Sequence, residues 1–175
     1  MTEPRPLLKT LQMFKGFSEE EFRSLVSKFS GKAYAVGETI CKDGAEGDSL
    51  FLLNEGEVKI SKEVSGKTEE ELARIKAPST FGMVSLIDGG VRSATCTALT
   101  AVTVLIMTKS SYDALLNAHD KAANKLLFNL TQTMSEQLRM ANHKIQELYS
   151  RPLETIETLK GAYKAILSGL EEAGR

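Results

Sequence analysis

Phe81-Gly82-Met83-Val84-Ser85-Leu86-Ile87-Asp88-Gly89-Gly90-Val91-Arg92-Ser93-Ala94-Thr95-Cys96 decides how this chain is read. The order is a tight turn, one short helical turn, a glycine pair, and a strand opening with arginine. Gly82 permits a sharp backbone entry. The N–H groups of Met83, Val84 and Ser85 then point together from a helix start, an arrangement that attracts anions. Arg92 adds a planar, permanently charged fork suited to phosphate. Taken alone, the stretch is more often a glycine-rich surface turn with a solvated arginine.

The flanking residues separate the two readings. The pattern Phe-Gly-Glu-Leu-Ala-Leu, five residues, then Arg-x-Ala-Thr marks the phosphate-binding cassette of cyclic nucleotide-binding domains, and this stretch resembles it. Phe81-Gly82, Leu86, Arg92, Ala94 and Thr95 match in order and spacing. Upstream, Gly37-Glu38-Thr39-Ile40, Gly44, Gly47-Asp48, Leu50-Phe51-Leu52-Leu53 and Gly56-Glu57-Val58-Lys59-Ile60 match too. The resemblance covers residues 7–149. It implies an α+β fold: an antiparallel jelly-roll β-barrel with N-terminal helices and a long C-terminal dimerisation helix. One position departs, for Met83 stands where the family has glutamate.

Composition sets bounds. The chain has 175 residues and a net charge of −1, which gives no general attraction to nucleic acid or acidic lipid. No apolar run reaches transmembrane length and no signal-peptide pattern opens the sequence, so a cytoplasmic protein is expected. Cys41 and Cys96 are far apart in sequence and read as small buried residues in a reducing compartment, rather than a disulfide or metal site. His119 and His143 read as exposed helix residues. No catalytic motif appears, so no enzyme and no cofactor are expected.

Periodicity predicts helix over residues 6–29, with Ser18 as its N-cap and Glu19, Glu20 and Glu21 in the first turn. Strands are predicted at 32–36, 39–43, 49–53, 57–64, 70–76, 92–99 and 101–107, with Ser65-Gly66-Lys67 as a hairpin tip. Ser110 or Ser111 caps a short helix. A long helix is predicted from about Asp120 to Tyr149, with a break at Pro152. Leu127, Leu130, Met134, Leu138, Ala141, Ile145 and Leu148 form a heptad-like seam on it. A small barrel cannot cover about thirty residues at ~1.5 Å each. A homodimer through residues 120–149 is therefore expected.

Residues 153–173 form an amphipathic tail helix, with Leu153, Ile156, Leu159, Tyr163, Ile166, Leu167 and Leu170 on one side. A helix-turn-helix needs two helices and a basic face. The tail balances Glu154, Glu157, Glu171 and Glu172 against Arg151, Lys160, Lys164 and Arg175. Direct DNA binding is not expected; packing under the dimer or docking on a protein partner is.

The resemblance implies a ligand, cAMP or cGMP, and a division of labour for it. Gly82, Met83, Val84, Ser85 and Arg92 would hold the ring phosphate and ribose. Ser93 would touch phosphate or base, beside Ala94, and its hydroxyl leaves both purines open. Ile60 and Leu72 would line the purine pocket, or else belong to ordinary barrel core. Asn142 would meet the base edge, or else be a solvated helix residue. A thioether at Met83 is a weak acceptor for the ribose hydroxyl. Losing a charge-assisted hydrogen bond there costs roughly 1.5–3 kcal/mol, or about ten- to a hundred-fold in affinity. Two functions follow: a ligand-gated regulatory module, or a degenerate, ligand-independent dimeric scaffold.

Overall fold

The computed structural model describes residues 4–64 and 68–173. The Ser65-Gly66-Lys67 hairpin tip lies outside them, as do the side chains that would form most of the tail's apolar face. Residues Met1–Thr133 and Met134–Arg175 make two compact units.

The first unit opens with two short 3-10 turns, Pro6–Thr10 and Gln12–Phe14, and then α1, Glu19–Val26. The continuous helix expected over 6–29 is therefore broken. Lys15 and Gly16 separate the pieces, with Gly16 in a left-handed conformation. Ser18 caps α1 as expected: its Oγ accepts from the Glu21 N–H at 3.1 Å, and the Glu21 carboxylate accepts from the Ser18 N–H at 2.7 Å.

Eight strands follow: β1 Ser30–Tyr34, β2 Thr39–Cys41, β3 Ser49–Glu55, β4 Glu57–Val64, β5 Thr68–Lys76, β6 Ser79–Phe81, β7 Thr95–Ala98 and β8 Val102–Thr108. They form two antiparallel sheets, ordered β1-β8-β3-β6 and β2-β7-β4-β5. Among the described residues no strand pairing joins the two sheets, so the barrel expected from the sequence is not closed. It is a pair of packed sheets whose edges stay distinct. Between them lie Phe51, Leu53, Val58, Phe81, Cys96, Ala98, Val102 and Val104. The Phe51 and Phe81 rings stack at 4.8 Å.

Strand β6 was not expected, and β7 starts at Thr95, so Arg92 precedes its strand instead of opening it. Between β6 and β7 sits α2, Met83–Asp88, with Gly82 at its N-cap and Gly89 at its C-cap. Helix α3, Lys109–Asn117, is capped by Thr108 rather than by either serine, because the strand already ends at Thr108 and its Oγ accepts from the Ser111 N–H. His119 lies in the following turn at a φ of 54°, exposed, not in a helix.

Helix α4 runs from Lys121 to Ala173 without the break expected at Pro152. A proline removes one backbone donor and crowds one carbonyl. Here strong helix formers such as Glu147, Leu148, Leu153 and Glu154 flank it, and the helix continues. The part of α4 inside the first unit is tied down. Asn129 Nδ2 donates to the Met13 and Lys15 carbonyls at 2.9 and 3.0 Å, and Lys125 pairs with Glu21 at 2.8 Å. Leu126 and Leu130 are fully buried. Leu130 therefore belongs to this core and is unavailable to a dimer seam. In the second unit Leu138, Met140, Ile145, Leu148 and Tyr149 are exposed.

Candidate functional site

A polar residue heads the most buried strand of the fold. Ser49 begins β3, in which every residue from Ser49 to Asn54 is buried. Its carbonyl accepts from Arg92 Nη1 at 2.6 Å and its Oγ from Nη2 at 2.8 Å. The Arg92 guanidinium lies over the Phe51 ring at 5.1 Å. Arg92 is only 6% exposed. Among the described residues no carboxylate lies within ion-pair distance of it. A buried cation is costly without a counter-charge. Ser49 supplies only neutral acceptors, so the charge itself is left unmatched.

Two glycines make room for that side chain. A Cβ on Gly82 would lie 2.7 Å from Arg92 Nη1 and 2.8 Å from the Ser49 carbonyl, and its φ is +78°. A Cβ on Gly47 would lie 2.9 Å from Arg92 Nε and 2.6 Å from Ser85 Oγ. Arg92 Nε and the Oγ of Ser85, in the first turn of α2, therefore converge beside Gly47. Helix geometry leaves the first N–H groups of α2 without intrahelical partners. Cation, hydroxyl and amide donors are the groups that would suit a small anion.

The remaining residues implied by the sequence fall as follows. Met83 and Ser85 are buried and Val84 is exposed. Ser93 is exposed and its carbonyl accepts from Lys62 Nζ at 3.0 Å. The half-buried Ala94 offers its carbonyl to the Cys41 thiol. Ile60 packs against the intersheet core, opposite Cys96. Leu72 does not: it is the unmatched residue of a bulge between Ile60↔Ala73 and Ser61↔Glu71, and is 57% exposed. That excludes the ordinary-core reading for Leu72. Asn142 lies exposed on α4 in the second unit. Ser49 was not anticipated as a site residue, and no sequence signal marks it.

A groove of about 580 Å³ on the adjoining surface is lined by Glu46, Gly47, Asp48, Gly89, Gly90 and Val91. It carries two carboxylates and no cation, so the groove itself does not suit an anion. Among the described residues no cluster of His, Cys, Asp and Glu could hold a metal ion. Among them, too, no helix is long and apolar enough to cross a membrane.

A family profile for the cyclic nucleotide-binding domain matches residues 32–119, from β1 to the turn after α3. The chain belongs to that family. The chain is 29% identical over 141 residues to the cyclic AMP receptor protein of Thermus thermophilus, covering 81% of this chain and 63% of that protein. It is 29% identical over 109 residues to a cAMP-dependent protein kinase regulatory subunit from Debaryomyces hansenii, covering 62% of this chain and 23% of that one. The crystal structure of the Thermus thermophilus catabolite activator protein superposes with a TM-score of 0.73 at 28% identity, over 79% of this chain and 63% of that one. The chain thus spans less than two thirds of the length of these relatives. The matched segment contains Ser49, Gly82 and Arg92.

Proposed function

We propose that this cyclic nucleotide-binding domain is a non-catalytic regulatory module that binds a cyclic purine mononucleotide, cAMP or cGMP. The observation that carries the reading is Arg92, a buried guanidinium held by Ser49 with no carboxylate partner among the described residues. A singly charged ring phosphate supplies the missing counter-charge, with Gly82, Met83, Val84 and Ser85 offering amide donors. Ser93 and Ala94 flank the phosphate. The half-buried Ile60 and the exposed Leu72 offer apolar surface to the purine. By the family resemblance, Asn142 is the candidate residue for the base edge. The module works in the cytoplasm as a homodimer through residues 120–149, and the tail offers a surface to a protein partner.

Titration calorimetry with cAMP and cGMP tests this. Wild type is expected to bind in the micromolar class or weaker, since Met83 gives the ribose hydroxyl only a thioether. Arg92→Ala should remove most binding, and Met83→Glu should tighten it about ten- to a hundred-fold. No binding of either nucleotide at millimolar concentration would overturn the reading.

A second reading has one observation of its own. The buried Met83 packs as a structural side chain where a ribose acceptor would stand. It favours a ligand-independent dimeric scaffold, which the same titration would leave standing.

A further inference from the structure

The two cysteines, far apart in sequence, are directly opposed in the fold. Cys41 of β2 pairs with Cys96 of β7 across an antiparallel ladder. A register shift after Thr39↔Thr97 brings Cys41 rather than Ile40 opposite Cys96. Directly opposed residues of antiparallel strands have Cα atoms about 4.5–5.5 Å apart, inside the roughly 4.4–6.8 Å that a disulfide spans. Both side chains meet at the same core: Cys96 is part of it and Cys41 packs against it. Both are free thiols.

Their environments differ in a useful way. Its pairing with Cys96, and then the nearby Arg92 charge, hold the Cys41 thiol below the ordinary thiol range. The same pairing, together with burial, pushes the Cys96 thiol up. Cys41 is partly exposed, whereas Cys96 is buried.

We propose that Cys41 and Cys96 are a peroxide-sensitive thiol pair that closes an intrachain disulfide, pinning β2 to β7 beside the Arg92 cassette. The Cys41 thiolate attacks one oxygen of hydrogen peroxide, breaking the O–O bond and giving a sulfenic acid and hydroxide. The hydroxide takes the Cys96 proton. The Cys96 thiolate then attacks the Cys41 sulfur, and the sulfenic oxygen leaves as hydroxide that picks up the former Cys41 proton. Two thiols and one peroxide become one disulfide and two waters. A reducing cell interior keeps the pair open at rest and reopens it afterwards. The proposal stands apart from the nucleotide reading, since it needs no ligand.

The test treats the full chain with hydrogen peroxide, then blocks remaining thiols with an alkylating agent and maps peptides without reduction. Expected are a fall from two free thiols to none, a peptide link between Cys41 and Cys96, and full reversal by dithiothreitol. Cys96→Ser is close in volume and should instead accumulate a dimedone-reactive sulfenic acid at Cys41. The proposal is overturned if both thiols survive peroxide that oxidises glutathione in the same tube. Links between chains, sulfinic acid with no disulfide, or no dimedone adduct in Cys96→Ser would overturn it equally.

Discussion

Gly82 and Gly89 bracket one short helix with the same left-handed backbone, at φ of +78° and +68°. Their surroundings make them unequal. An alanine at Gly89 would meet only the flexible Lys109 stem, at 3.3 Å. Gly89→Ala should therefore cost roughly 1–2 kcal/mol, the backbone strain alone. Gly82→Ala adds a collision with Arg92 and the Ser49 carbonyl, and should cost roughly 2–5 kcal/mol. Urea denaturation of the two variants checks the order; equal losses would mean that Arg92 yields freely. Arg92 itself was legible in the sequence because its spacing from Gly82 is part of the cassette pattern. Its inward grip on Ser49 was not, since a serine seven residues before Gly56 carries no periodic signal and its role depends on a strand folded over from elsewhere.

At the level of single elements, α1 is the plainest case of sequence dictating structure. Both halves of its capping box are present, and Ser18→Ala should lower stability by about 1 kcal/mol in a thermal melt. The Glu21 carboxyl closing that box also anchors Lys125 of α4, and the Lys125 hydrogen bond, then that from Ser18, holds it below its usual range. A depressed carboxyl stabilises the fold above its unfolded value near 4.5 and loses that contribution as pH falls through the lower folded value. Glu21→Gln should flatten that part of the acid limb of a stability–pH curve. The longer strands announced themselves through runs of Leu, Ile and Val between glycine turns. Strand β6 did not, because three residues after Pro78 are too few to show alternation. The Cys41–Cys96 pairing was equally hidden: it rests on a bulge, and a shift of one residue reverses which side chains meet. Pro152 misled for the opposite reason, as one missing donor did not outweigh the helix on either side.

On the scale of the whole molecule, the distal part of α4 leaves Leu138, Ile145 and Leu148 in water. Large apolar stripes of this kind mark interaction surfaces, and their spacing suits a parallel two-fold pair. Leu138→Asp with Ile145→Asp should turn a dimer into a monomer in light scattering. A monomer mass for wild type would refute the pairing. Leu130 takes no part in the expected loss, since it already lies in the core of the first unit.

The Ser49 clasp on Arg92 has a kinetic side. An arginine in water samples many rotamers, and stilling it forfeits about 2 kcal/mol of side-chain entropy. Here folding has already stilled it, with Nη1 and Nη2 each anchored and Nε left toward Gly47 and Ser85. An arriving anion meets a receptor that needs no rehearsal, so capture should proceed in a single phase, its speed set by encounter rather than by rearrangement of the arginine.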